Sequence, residues 1–334
     1  MAASDQKEWL SKLMTYDEVR RWRNQYIQEQ QTHEQLNTFH DQLMKQVFVI
    51  ARKKIEEEQG PPPAPFAFFL MGSAGRCEQS IWSDQDHGII FDGHEQSKSY
   101  FLTLGEEMVY GLEKVGYERC DGKVMASESM WTQSLMSWKK QVVNWLEESS
   151  WQSLRHFSTL FDSRVLIGER ELLSQVKQKT FAYLDSNPHL YLRCVDNVGF
   201  IRKGIGIFGQ LLPEQSGTMA GKLNVKTTTV FPYVNAMRLL AILRHEEMPA
   251  TKDRIKFLTT HYPFLQGYLS IFERLLAFRY RHTKQAADYD HVHHISLKQL
   301  SKRDKQELKQ FMKDGVHMFE MAKKMVEKEC SKWL

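Results

Sequence analysis

Two carboxylates one residue apart, Asp84 and Asp86, open the apolar run of the segment SDQDHGIIFD. Side chains on a strand alternate faces, so residues i and i+2 point the same way, and an Asp-x-Asp pair entering a strand aims both carboxylates at one point. Such a point suits a hard divalent cation of the magnesium type, which takes oxygen ligands and keeps room for water and substrate phosphates. Upstream, with ten residues between it and Asp84, an apolar stretch ends in Gly72-Ser73. A glycine lets a phosphate approach the backbone, and the serine adds a hydroxyl and an N–H at a helix start. Arg76 and Glu78 follow on the same polar connection. These residue types in this order are suited to phosphate and metal chemistry.

The elements that must carry them read as follows. Phe66 to Asp92 is an apolar strand, a short polar turn or helix, and a second apolar strand. Before it, Asp5 to about Glu58 is polar and helical. Leu36, Phe39, Leu43, Val47 and Ile50 trace one apolar stripe, while Trp9, Leu10 and Leu13, then Val19, Trp22 and Tyr26, mark two further helical pieces. These helices either pack on the next domain, the favoured reading, or form a partner surface, which leaves a homodimer open. Gly60 ends the lead-in and Pro61-Pro62-Pro63 makes a rigid linker. After the strands come a helical stretch, Gln96 to Val115, and a return to the sheet over Gly116 to Ala126. Trp131, Leu135, Trp138, Val142 and Trp145 then step as a helix whose aromatic face belongs to the core. The run Phe157 to Ile167 is β-permissive and places Asp162 and Arg164 on one face if it is a strand.

Past residue 185 the strand signal fades and helical periods remain: Leu190 to Leu212, Pro232 to Glu246, Pro263 to Gln285 and Lys302 to Glu329, a helix bundle. Gly204, Gly206 and Gly209 fit GxGxxG but lack a βαβ context, so they are glycines of a loop or of close helix contacts and not a dinucleotide fingerprint. His291, His293 and His294 have no i, i+4 pair or acidic partner to fix a metal geometry and read as a solvated loop. The expected organisation is an N-terminal helical segment over 1–60, an α/β domain over 61–185 and a helical domain over 186–334.

Composition bounds the class. The chain has 334 residues, 42% of them hydrophobic, enough for a sizeable core in two domains. The net charge of +4 is spread without a one-sign block, and no basic surface interleaved with aromatics stands out, which argues against nucleic acid as a partner. The N-terminus has no apolar signal core, and the longest apolar run, Phe66 to Met71, is far short of the roughly 20 residues that a spanning helix needs. The reading is a cytoplasmic protein without membrane association. Cys77, Cys120, Cys194 and Cys330 show no CxxC spacing and read as reduced thiols. Cys77, inside the Gly-Ser loop, is read as packing rather than reactive.

The block GSAGRCEQSIWSDQDHGIIF resembles the GSxGRxEQ…TDQDNAxI block of a bacterial nucleotidyltransferase family in the polymerase-beta-like superfamily, related to the N-terminal region of the PII uridylyltransferase. That family is often fused to CBS or cyclic-nucleotide-binding domains. CDGKVMASESMW (Cys120 to Trp131), LFDSRVLIGE (Leu160 to Glu169) and LNVKTTTVFPYVNAMRLLAILRHE (Leu223 to Glu246) extend the similarity over most of the chain. The resemblance implies an α+β fold, a mixed nucleotidyltransferase sheet with flanking helices, between N-terminal helices and a C-terminal helix bundle.

It also implies an activity: transfer of a nucleoside monophosphate, adenylyl or uridylyl, from a magnesium-bound nucleoside triphosphate to a hydroxyl of a protein or small-molecule acceptor, in a regulatory role. Manganese is the alternative ion. In that reading Asp84 and Asp86 hold the metal, Gly72 and Ser73 orient the phosphates, and Arg76 offers them a planar cationic fork. Glu78 and Gln79 stabilise the loop. Asp162 either completes the metal site as a third carboxylate, as the likeness of FDSR to the family's FDxR suggests, or pairs with Arg164 or a neighbouring arginine. Asp121 is a weaker candidate for the same place. Lys226 and Arg238 either reach nucleotide phosphates across a cleft or make surface pairs. The competing class is a non-catalytic nucleotide-sensing module that acts through a partner.

Overall fold

The structure is a computed structural model that describes Leu10 and residues 12–332. Trp9 of the first expected helical piece lies outside the described residues, and Leu13 is in irregular chain. The chain divides into two compact units, 1–143 with 162–179, and 144–161 with 180–334.

In the first unit, β1 (Phe66–Leu70) lies in a four-stranded mixed sheet of order β3-β2-β1-β4. Its neighbours β2 (His87–Phe91) and β4 (Arg164–Gly168) both run antiparallel to it, and β3 (Thr132–Ser134) runs parallel to β2. Every residue of β1 is buried, which is why FAFFL is continuously apolar instead of alternating. Helix α1 (Tyr16–Tyr26) and the long helix α2 (His33–Gln59) are the N-terminal helices, each started by a capping box, Thr15 with Glu18 and Thr32 with Gln35. Gly60 ends α2 with a positive φ of 82°, as its position before the proline run suggests. The stripe Leu36, Phe39, Leu43, Val47 and Ile50 is buried. Phe48 meets Phe66 and Phe68 at ring distances of 5.9 and 5.3 Å, so α2 covers one face of the sheet. Helix α3 (Lys98–Val115) joins it there, with Phe101 stacked on Phe91 at 4.8 Å. The opposite face takes helix α4 (Leu135–Glu148), whose Trp138 is edge-on to Phe69 and donates its indole N–H to the Ile89 carbonyl at 3.0 Å. Each such buried aromatic or aliphatic side chain contributes about 1.5–3 kcal/mol of transfer free energy.

Three expectations for 116–167 are corrected. The helix expected to step from Trp131 starts only at Leu135, and Thr132–Ser134 before it is β3. Phe157 to Phe161 is the end of a helix, α5 (Trp151–Phe161), and β4 starts only at Arg164; five β-permissive residues are overridden because they also keep a helical apolar face, with Leu154, Phe157, Leu160 and Phe161 buried. Gly116 to Ala126 does not return as a strand. It forms one isolated bridge, Asp84 with Glu118, to the segment before β2 and one backbone hydrogen bond to β2 itself, from His87 N–H to the Val124 carbonyl, because the turn beginning at Cys120 interrupts the pairing. Helix α6 (Arg170–Ser186) follows β4.

The second unit is mainly helical: α7 (His189–Val198), α8 (Phe231–Leu243), α9 (Thr251–Leu258), α10 (Tyr268–Thr283) and α11 (Lys302–Cys330). Helix α8 is buried nearly all round, and Tyr233 on it donates to the Phe311 carbonyl of α11 at 2.7 Å. The helix expected over Leu190 to Leu212 stops at Val198, and Gly204, Gly206 and Gly209 fall in an irregular loop closed by an Ile205–Leu211 bridge. The unit also contains a pair of three-residue strands, β5 (Lys222–Asn224) and β6 (His294–Ser296), too short to leave a period-2 signature in the sequence.

Candidate active site

The site is built where β1 ends and β2 begins. Because the two strands are antiparallel with Leu70 opposite His87, the residue after β1 and the residue before β2 are neighbours, and Met71 N–H donates to the Asp86 carbonyl at 2.8 Å. The chain then makes one helical turn, Gly72–Gly75. Gly72 has φ +55°, and a Cβ built on it would stand 2.1 Å from Asp86 Oδ2. Only glycine satisfies both the backbone and the room that the carboxylate takes.

Asp84 and Asp86 are half-buried and, as the Asp-x-Asp spacing predicts, converge. One carboxylate oxygen of each, together with Cys120 Sγ, lie within 4.8 Å of one another. Cys120 arrives on the segment after α3, which is stitched on both sides of the thiol to the Asp-x-Asp segment that leads into β2. Gln85 N–H donates to the Glu118 carbonyl at 2.9 Å, Glu118 N–H to the Ser83 carbonyl at 3.2 Å, and His87 N–H to the Val124 carbonyl at 3.1 Å. Burial, with the Asp86 charge next, pushes the Cys120 thiol up to about 12. The donor set of two carboxylates and a thiol fits a divalent cation in its charge and its ligand atoms. Among the described residues this is the one group with that geometry, so His291, His293 and His294 form none. Asp121, beside Cys120, is exposed.

The loop from Ser73 to Ser83 is held by two arginines and one helix. Arg76 is buried, and its Nε donates to Glu78 Oε2 at 2.8 Å and its Nη1 to Asp162 Oδ2 at 3.0 Å. Burial opposes the guanidinium charge, but Glu78 and Asp162 outweigh it and hold Arg76 above its ordinary value. The fork expected at a triphosphate is therefore committed to two carboxylates of the protein. Asp162, fully buried after α5, takes the neighbouring-arginine alternative, with Arg76 and not Arg164 as its partner, and is not a member of the Asp84–Asp86–Cys120 group. Gly75 lets this happen, since a Cβ there would meet the Asp162 carbonyl at 2.0 Å. Arg164 instead makes a bidentate pair with Asp41 at 2.8 and 2.6 Å and donates to the Ala74 carbonyl. Its charge is favoured above its ordinary value, burial being outweighed by Asp41 and by a hydrogen bond with Cys77.

Helix α2 supplies the rest. Asn37 Oδ1 accepts from Gln79 N–H at 2.8 Å, and Asn37 Nδ2 donates to the Gln79 carbonyl at 3.3 Å. His40 Nε2 faces the Ser80 carbonyl at 2.8 Å and so carries the proton, leaving Nδ1 to accept from the Tyr117 hydroxyl at 2.8 Å. Burial, with Arg23 nearby, lowers His40 to about 3, so it is neutral. Asn37, His40 and Asp41 lie three and four residues apart, on one face of α2. Sequence reasoning missed all three, although a polar stripe inside an otherwise amphipathic helix was the available signal. It also read Cys120 as a thiol without a role. Glu78 and Gln79 are loop-stabilising, as expected.

Ser73 is half-buried, and its carbonyl accepts from Glu78 N–H at 2.8 Å. Lys226 and Arg238 belong to the second unit. Lys226, in a π-helical turn before α8, stands 3.4 Å from His293 Nε2, and the buried Arg238 donates to Asn235 Oδ1 at 2.8 Å.

Comparison with known proteins gives two family matches. Residues 15–152 match the family described as putative nucleotidyltransferase DUF294, and residues 188–325 match its C-terminal companion, described as a putative nucleotidyltransferase substrate binding domain. No curated protein matches the chain. No helix among the described residues is long and apolar enough to cross a membrane. The mixed four-stranded sheet, the Gly-Ser turn beside the Asp-x-Asp strand and the two matched segments agree, and the chain belongs to this nucleotidyltransferase family.

Proposed function

We propose that the protein transfers a nucleoside monophosphate from a nucleoside triphosphate to a hydroxyl of a protein or small-molecule acceptor, in a regulatory role. The observation that carries this reading is the convergence of Asp84 and Asp86 over Gly72, where β1 hands the chain to the loop. Asp84 and Asp86 would hold a divalent ion, magnesium or manganese, which when bound neutralises charge on the phosphates and favours displacement of pyrophosphate. The bare Cα of Gly72 and the adjoining Ser73 leave backbone and hydroxyl for the triphosphate to approach. Arg76, Asp162 and Glu78 form a buried charge cluster that fixes the loop under those groups. Their contribution is orientation, which for a transfer with little covalent participation by the protein is a large share of the rate. Lys226 and Arg238, in the unit matched to a substrate-binding family, serve as contacts for phosphate or acceptor.

The test is calorimetry with each of ATP, GTP, CTP and UTP in magnesium or manganese, on wild type, Asp84→Asn and Asp86→Asn, beside incubation of each labelled triphosphate with protein and cell lysate. A triphosphate that binds wild type at least tenfold more tightly than either variant, with label passing to an acceptor, supports the reading. Binding without transfer supports the nucleotide-sensing alternative. Equal affinity in all three proteins overturns the site assignment.

A further inference from the structure

We infer that Cys120 is the third ligand of the cation held by Asp84 and Asp86, so that the site takes borderline, thiophilic divalent ions such as cobalt and zinc ahead of manganese, and manganese ahead of magnesium. This rests on the reading that the two carboxylates form a cation site and adds the identity of the remaining donor.

Three observations converge. Cys120 Sγ and one oxygen from each carboxylate lie within 4.8 Å of one another, close enough for one ion to touch all three. The sulfur is fixed rather than carried on a loose loop, since Gln85, Glu118 and His87 bond across to the Asp-x-Asp strand before and after it, and Lys123 N–H closes a turn on the Cys120 carbonyl at 2.9 Å. The acidic residue that could have filled the third place, Asp162, is buried against Arg76. A free cysteine that only packs behaves as a small hydrophobe and belongs among apolar side chains, whereas this one is half-buried beside two carboxylates.

A thiolate in the donor set changes which ion is preferred. Magnesium gives up water reluctantly and takes oxygen ligands, while sulfur donors select ions later in the first transition row. On coordination the metal–sulfur bond forms as the S–H bond breaks, and the proton leaves to solvent; no oxidation is involved.

Cobalt(II) titration of the full chain tests this directly, because a cobalt–thiolate bond produces an intense near-ultraviolet charge-transfer band that oxygen ligands do not. Wild type is expected to show that band together with weak visible ligand-field bands, saturating at one equivalent. Cys120→Ser should lose the charge-transfer band, keep visible bands, and bind cobalt weaker by on the order of tenfold or more, with magnesium affinity changed far less. Asp86→Asn should lose both. Cobalt binding that depends on Asp86 but gives no charge-transfer band in wild type overturns the inference and leaves the carboxylate site standing. A charge-transfer band that survives in Asp86→Asn belongs to another cysteine and overturns it as well. Absence of any Asp86-dependent cobalt binding defeats the inference and the cation site together. The wild-type spectrum decides even if Cys120→Ser fails to fold.

Discussion

At the scale of single residues, the site depends on what is missing from Gly72 as much as on what Asp84 and Asp86 carry. Gly72→Ala places a methyl where Asp86 Oδ2 now stands and holds an L-residue at φ +55°, so the carboxylate must move. We expect unfolding free energy to fall by about 1–3 kcal/mol and metal-dependent nucleotide binding to be lost, as in Asp86→Asn, whose own stability stays close to wild type. Denaturant unfolding beside calorimetry checks this, and an alanine variant that binds like wild type refutes the close approach. Asp162→Asn has the opposite signature. It leaves the buried Arg76 paired with Glu78 but without Asp162 and should cost about 3 kcal/mol of stability, while cobalt or magnesium still binds at Asp84 and Asp86. Loss of metal binding with an unchanged melting temperature would make Asp162 a ligand after all.

At the scale of elements, α2 does more than cover the sheet. Its Phe48 packs on Phe66 and Phe68, and the polar residues Asn37, His40 and Asp41 reach the segment that carries Ala74, Gln79 and Ser80 together with Arg164 of β4. One helix therefore sets the distance between the sheet and the loop. Asn37→Ala removes the acceptor for the Gln79 N–H, a buried group, at a cost of about 1–3 kcal/mol. Hydrogen exchange is expected to quicken at Gln79 and its neighbours far more than in β1; uniform acceleration throughout the first unit would show that Asn37 supports only global stability. The segment bearing Cys120 is likewise held at its far end, where His87 Nδ1 accepts from Ala126 N–H at 3.1 Å.

At the scale of the whole molecule, two buried imidazoles in the first unit link its stability to pH. His40 and His87 are both lowered to about 3 by burial, so each is neutral in the fold and takes up a proton in the unfolded chain as pH drops below its ordinary value of 6.5. The unfolded state then binds more protons, and stability falls as pH falls from about 6.5 towards 3, by about 1.4 kcal/mol per pH unit for each histidine. Exchange of the β1 and β2 amides, which open with the unit as a whole, should report the decline between pH 6.5 and 5, and His40→Gln should remove about half of the slope contributed by the pair. A flat profile over that range would mean that both imidazoles are charged in the folded protein, and half the slope that one of them is.

By itself the sequence determined the parts whose signal is local: the continuous apolar run of the central strand, the stripe of α2 and its end at Gly60, the aromatic face of α4, and the convergence of Asp84 and Asp86 from their spacing alone. The motif wording also carried the family. Tertiary structure alone decided which charges meet. Asp162 and Arg76 are 86 residues apart, Arg164 and Asp41 123, and no periodicity encodes such pairings, because a buried charge takes whichever partner the packing brings within reach. The same holds for Cys120, whose sulfur stands beside the two carboxylates only because backbone bonds from Ser83 to His87 draw a separate segment against the Asp-x-Asp strand. Side-chain type and spacing set what each residue can do, and the antiparallel register of β1 and β2, with the crossings that follow, sets which of them do it together.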